Sequence, residues 1–171
     1  MIEPESYKIH ESLNKKWSSY IYGEICSQSF LNIINNINCE NKNLIDIGSG
    51  AGNLLLALTK INHLKLHGIE IDENRYKMSE KRLEKEGKNE IELIHGDFID
   101  LYLGNYDIIY CCNCIFEEED NIKLYTKIAN EFKGRCFLFT FDKILVPFYV
   151  GSHVIETSWV KQTTLFEFAI E

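Results

Sequence analysis

The sequence predicts an α/β fold: a mainly parallel, Rossmann-like sheet with helices on both faces and a C-terminal antiparallel hairpin. Three observations predict it. Short β-branched and aromatic runs alternate with segments of helical period from Asn43 onward, and strands alternating with helices close into a parallel sheet through right-handed crossovers. A glycine-rich loop joins the first strand to the helix after it. The last two strand-like runs follow one another with no helix between them, and a short connection requires antiparallel pairing.

The elements follow in chain order. Residues 24–38 carry Cys26, Phe30, Ile33, Ile34 and Ile37 at the spacing of one buried helix face. Residues 43–47 (NLIDI) are a short strand that runs into glycines, and residues 53–61 are a helix apolar enough to lie on a sheet. Residues 64–71 (LKLHGIEI) alternate as a second strand, and residues 73–87 are a charged helix. Strands are expected at 91–98 and 106–112, a helix at 118–132 and a fifth strand at 135–141. The 118–132 helix is expected to bury Ile122, Tyr125, Ile128, Ala129 and Phe132. The hairpin strands fall near 153–160 and 163–170; in the second, Phe166, Phe168 and Ile170 share one face while Glu167 and Glu171 point the other way.

Composition narrows the function classes. A chain of 171 residues with 45% hydrophobic and 26% charged residues suits a single globular domain. Residues 1–40 are read as its helical N-terminal segment and 41–171 as the catalytic α/β core. No apolar stretch approaches the roughly 20 residues of a membrane span. The N-terminus begins acidic and has no apolar core, so it reads as neither secretory signal nor transit peptide. A net charge of −8 argues against strong direct DNA binding, which runs on clustered Lys and Arg. Six cysteines without a secretory signal read as free thiols in a reducing compartment. Cys111 and Cys112 lie in an apolar run and are expected to be buried. The cluster Cys111-Cys112-Asn113-Cys114 holds one C-x-x-C spacing but no second cysteine pair and no His-x-x-x-His accompanies it, so no metal is expected.

The chemistry is expected at the glycine loop. Asp46-Ile47-Gly48-Ser49-Gly50-Ala51-Gly52-Asn53 lies between strand and helix, where glycines allow a tight turn and close approach of a ligand to backbone and helix N-terminus. Asp46 ends an apolar strand, and a carboxylate there needs a partner; the ammonium of the methionine moiety of S-adenosylmethionine is a suitable one. Glu70, followed by Ile71, ends the second strand about 20 residues on, the offset at which an acid accepts ribose hydroxyls. Gly96-Asp97-Phe98 ends the third strand, so that Asp97 reaches the adenine amino group and Phe98 flanks the ring. The loop reads G-S-G-A-G-N, not the G-x-G-x-x-G of NAD enzymes, which favours a class I methyltransferase over an oxidoreductase.

Four segments resemble one family, the disruptor-of-telomeric-silencing-type (non-SET) histone lysine methyltransferases. Tyr22-Gly23-Glu24 is similar to the Tyr-Gly-Glu of the loop that closes over the cofactor in that family. Ile45 to Asn53 resembles its Asp-Leu-Gly-Ser-Gly-Val-Gly, and Gly96-Asp97-Phe98 its Gly-Asp-Phe. Tyr110 to Phe116 occupies the place of its Asn-Asn-Phe-x-Phe: Asn113 matches the second Asn and Phe116 the last Phe, while Cys112 stands for the first Asn and Cys114 for an aromatic. Ser158-Trp159 before the last strand resembles the family's Ser-Trp.

The resemblance implies S-adenosylmethionine as cofactor and a histone or nucleosome as substrate, at a lysine of H3 or H4, in a nucleus. It implies a cofactor set of Tyr22, Glu24, Asp46, Gly48, Ser49, Gly50, Gly52, Asn53, Glu70, Ile71, Asp97, Phe98, Cys112 and Asn113. Tyr22, Phe116 and Trp159 are candidates for an apolar channel around the target amine, with Asn113 orienting the amine or holding the methionine end. The long basic extension that many members use on DNA has no counterpart here, and self-association is expected to enlarge the substrate surface. Two other functions stay open: a small-molecule or nucleic-acid methyltransferase of the same fold, and a non-catalytic cofactor-binding subunit. The N-P-P-Y-type element of amino methyltransferases does not occur at 110–116.

Overall fold

The structure, a computed structural model, describes residues 25–139, 148–158 and 161–171. Its helices are α1 (Ser27–Ile34), α2 (Asn53–Leu58), α3 (Glu73–Lys85) and α4 (Glu118–Glu131). Its strands are β1 (Asn43–Ile47), β2 (Lys65–Glu70), β3 (Glu92–His95), β4 (Ile108–Cys111), β5 (Gly134–Leu138), β6 (Tyr149–Ile155) and β7 (Thr163–Ile170). They form one sheet in the order β3-β2-β1-β4-β5-β7-β6. The first five are parallel, and β7 inserts antiparallel between β5 and β6. The Rossmann-like reading, with its terminal hairpin, holds.

Alternation along the strands makes a core on each face. Leu44, Leu66, Tyr110 and Phe137 pack beneath α1 and α2 with Phe30 and Leu55. Ile45, Ile69, Ile109 and Cys136 pack against α4 through Leu124 and Ile128. Helix α1 buries Phe30, Leu31, Ile33 and Ile34, near the predicted stripe, but it ends at Ile34. Helix α3 starts where the Asp72 side chain accepts the Arg75 N–H at 2.9 Å, an N-cap. Among the described residues no helix is long and apolar enough to cross a membrane.

Two expectations are corrected. In α4, Ile128 is buried as expected, as is Phe132 just past the helix, but Asn121 and Leu124 fill the rest of the stripe, and Ile122, 57% exposed, and Ala129 face solvent. The first hairpin strand runs Tyr149–Ile155, earlier than 153–160, because the ladder pairs Ile155 with Thr163 and extends back from there. Glu167 lies on the face opposite Phe168 and Ile170, as expected, and is buried there at 6% exposure. Because β7 lies inside the sheet, its carboxylate is reached by Arg135 and by His153 Nε2, the latter at 2.7 Å.

One glycine sets the approach of β5 to β4. Gly134 has φ of +147°, and a Cβ there would lie 2.2 Å from the Asp107 carbonyl oxygen. That carbonyl accepts the Arg135 N–H at 3.1 Å. Gly134→Ala is therefore expected to destabilise the protein by about 2–3 kcal/mol, from overpacking and backbone strain together. A urea unfolding midpoint equal to that of the parent chain would refute this account of the β4–β5 junction.

Candidate active site at the carboxyl edge of the sheet

Register gathers the predicted residues at one edge. Ile47 pairs with Ile69 on one side and Cys111 on the other, and Glu70 pairs with His95. The glycine loop, Glu70, Gly96-Asp97 and Cys112 therefore leave the sheet side by side, where ligands of open α/β sheets bind. Asp46, the last inward residue of β1 on the α1/α2 face, is buried at 3% exposure.

The loop is tight because Gly48, Gly50 and Gly52 all have positive φ, at 78°, 57° and 76°. Only glycine takes such values without strain. Gly52 is also closed in, since a Cβ there would lie 2.3 Å from Ser79 Oγ. Gly68 in β2 lets the loop and α2 settle on the sheet, a Cβ there being 2.6 Å from Leu55 and 2.9 Å from Ser49. Gly48 differs: among the described residues a Cβ there would meet nothing within 4 Å.

Four of the loop amides bond within the protein. Gly48 and Ser49 both donate to the Ile69 carbonyl, at 2.9 and 3.0 Å, and Gly52 donates to Ser49 at 3.0 Å. Gly50 donates to Glu70 Oε2 at 2.9 Å. A diphosphate cradle needs such N–H groups pointing outward; here β2 takes three of them and the loop itself the fourth. The loop offers close backbone and open space instead, which fits a cofactor without a diphosphate.

Glu70 organises this corner. Besides Gly50, its carboxylate accepts the Asp72 N–H at 2.8 Å and Arg75 Nη2 at 3.2 Å. Sequence reading missed Arg75; the signal was its place one helical turn past the Asp72 N-cap, facing back to the strand end. Asp97 uses one oxygen to accept the Ile99 N–H at 3.0 Å, capping a short 3-10 turn, Phe98–Asp100. Ile71 stands 44% exposed beside it, an apolar surface at the strand end. Phe98 and Phe116 stack with ring centroids 5.9 Å apart and planes at 17°.

Asn113 is bound through its amide nitrogen to the α4 side of the sheet. It is 0% exposed, and its Nδ2 donates to Asn121 Oδ1 at 2.7 Å and to Tyr125 Oη at 2.8 Å. Asn121 in turn donates to the Phe116 carbonyl at 3.3 Å. The amide thus ties the turn after β4 to α4 and does not open to the site mouth. The reason is alternation: Cys112 leaves β4 toward α1 and α2, so Asn113 leaves toward α4. Asn121 and Tyr125 were missed; the signal was a polar residue on the helix stripe. Cys112 is half-buried, not buried as expected, while Cys111 is buried. Tyr22, Glu24 and Trp159 lie outside the described residues, and Asn53 begins α2.

A mostly parallel sheet with β7 turned back between β5 and β6, and a glycine loop beneath an open edge, define a class: proteins with the fold of S-adenosylmethionine-dependent methyltransferases. Within that class the chain belongs to the family described as "Histone methylation protein DOT1", whose model matches residues 1–163. The cofactor of that family is S-adenosylmethionine. Solved structures agree on the fold. An RNA methyltransferase from Salinibacter ruber in complex with S-adenosyl-L-homocysteine is 17% identical, with 84% of this chain and 89% of that one covered and a TM-score of 0.63. TrmN from Thermus thermophilus is 16% identical, with 85% and 48% covered and a TM-score of 0.64. A proposed S-adenosyl-L-methionine-dependent methyltransferase of Methanococcus maripaludis is 24% identical over 63% of this chain, with a TM-score of 0.56. The chain spans about half the length of that last protein, 52%.

Proposed function

We propose that the protein is an S-adenosylmethionine-dependent protein lysine N-methyltransferase acting on a histone, H3 or H4, in nucleosomes. The observation that carries this reading is the match to the histone methylation family along nearly the whole chain, residues 1–163. The edge geometry is compatible with the cofactor: open space over Gly48, loop amides already taken, and acids at successive strand ends. In this reading Asp46, Gly48, Ser49, Gly50, Gly52, Asn53, Glu70, Ile71, Asp97, Phe98 and Cys112 hold the cofactor, with Tyr22 and Glu24 over it. Residues 1–40 serve as the covering segment of one catalytic domain.

When bound, S-adenosylmethionine supplies an electrophilic methyl group for in-line displacement. The chain's task is then to align the amine and keep water out, and proximity gives most of the gain. Phe116, with Tyr22 and Trp159, lines the amine's approach. An apolar lining disfavours a charged lysine, lowering its pKa from about 10.4 toward the neutral, attacking form. Asn113 acts as a positioning residue: through Asn121 and Tyr125 it fixes the turn that presents Cys112 and Phe116. The net charge of −8 complements basic histone surfaces, and work on chromatin places the protein in a nucleus.

The test offers radiolabelled S-adenosylmethionine with nucleosomes, free histones, tRNA and DNA in parallel. Label on a histone lysine is the expected result. Label on nucleic acid alone would replace this reading with a nucleic-acid methyltransferase. Cofactor uptake by calorimetry without transfer to any of them would leave a cofactor-binding subunit.

A further inference from the structure

The turn after β4 carries two thiols that the proposed reaction does not use as a pair. Cys112 and Cys114 flank Asn113, and their sulfurs lie 3.8 Å apart in hydrogen-bond contact. Both are half-buried, whereas Cys39, Cys111 and Cys136 are buried. Both pack on the α1/α2 side of the sheet, the side on which Asp46 and Glu70 emerge. We propose that Cys112 and Cys114 are an oxidisable pair, closed to a disulfide by a peroxide, and that closure weakens S-adenosylmethionine binding at the adjoining site. The proposal rests on the cofactor reading above, because Cys112 belongs to that edge.

The two sulfurs are unequal. The hydrogen bond shared with Cys112 holds the Cys114 thiol below the ordinary thiol range, despite some burial. The same bond, with burial, pushes Cys112 well above it. Cys114 is thus the better thiolate and Cys112 the resolving thiol. In the first step Cys114 Sγ attacks one oxygen of hydrogen peroxide. The O–O bond breaks, hydroxide leaves and takes up a proton, and a sulfenic acid remains. In the second, Cys112 Sγ attacks the Cys114 sulfur; the S–O bond breaks and water leaves with the Cys112 proton. Two thiols lose two electrons and one peroxide becomes two waters.

Closure has a mechanical consequence. The sulfurs must move from 3.8 Å to a bond of roughly 2.05 Å. Cys111 is fixed by its pairing with Ile47, and Asn113 is pinned to Asn121 and Tyr125 at 2.7 and 2.8 Å. The contraction therefore either swings Cys112 away from the site edge or draws Asn113 off α4, and both deform the turn that presents Cys112 and Phe116.

The experiment uses the full chain, reduced and then treated with stoichiometric hydrogen peroxide. Peptide mass mapping without reductant should find two hydrogens lost from the peptide holding Cys112 and Cys114. Calorimetric titration with S-adenosylmethionine should give a Kd weakened by roughly tenfold or more, equivalent to about 1.4 kcal/mol, and dithiothreitol should restore it. Cys114→Ser should abolish both the cross-link and the peroxide response. No cross-link in the parent chain, or a cross-link with unchanged Kd, overturns the switch and leaves the cofactor reading standing. A reduced parent chain that does not bind S-adenosylmethionine at all overturns the cofactor reading, and the switch with it.

Discussion

Glu70→Ala is expected to destabilise the protein by about 3–5 kcal/mol and to abolish measurable S-adenosylmethionine binding. The side chain is 4% exposed and accepts three hydrogen bonds, from Gly50 N, Asp72 N and Arg75 Nη2. Removing it leaves the Arg75 guanidinium, 16% exposed, without this carboxylate. Loss of one member of a buried ion pair is the costly case, because the other keeps its desolvation penalty. Two backbone donors lose their acceptor as well, each at about 1–3 kcal/mol when buried. The functional loss has its own cause. The Gly50 N–H is tied to Glu70, so without it the middle of the loop loses its hold on the end of β2, and only the bonds from Gly48 and Ser49 to Ile69 remain. Glu70→Gln separates the two effects: its amide oxygen can still accept one backbone N–H, so part of the loop shape survives while the ion pair is lost. It should fall between the parent and Glu70→Ala in both urea midpoint and calorimetric affinity. If Glu70→Ala unfolds at the parent midpoint and binds the cofactor as tightly, Glu70 has no part in this corner.

Patterns with a clear period were readable in the sequence. NLIDI begins and ends where β1 does, at Asn43 and Ile47, because its flanks are turn residues. The charged helix after Asp72 starts where its N-cap dictates. What failed to read was decided by tertiary partners. The face of Glu167 was legible, but its burial follows only once β7 sits between β5 and β6. Ile122 looks like core until Asn121 is seen filling the stripe beside it, and Asn121 is buried only because Asn113 and the Phe116 carbonyl satisfy it. At the site, glycines and strand-end acids were legible as residue types. The direction of Asn113, and the use of the loop amides by Ile69 and Glu70, were not. Both depend on which side of the sheet a residue leaves, and a shift of one residue reverses that.

Gly48→Arg is expected to leave the protein folded and to abolish cofactor binding, and its neighbour supplies the contrast. Both Gly48 and Gly52 have positive φ, so any side chain costs about 1–2 kcal/mol of backbone strain at either position. They differ in what the side chain would meet. At Gly52 a Cβ collides with Ser79 Oγ at 2.3 Å, so even Gly52→Ala should disturb the packing of α3 on the loop. At Gly48 nothing among the described residues lies within 4 Å, so the arginine extends from the loop into the edge where the cofactor is proposed to lie. Its bulk excludes the ligand, and its charge repels the sulfonium and the methionine ammonium. Three variants measured together make the case: Gly48→Ala mildly destabilised with weakened binding, Gly48→Arg equally stable with none, and Gly52→Ala clearly less stable. Thermal unfolding and calorimetric titration read the two quantities separately. If Gly48→Arg binds S-adenosylmethionine like the parent chain, the space over Gly48 is not the cofactor site and the methyl-transfer proposal loses its footing.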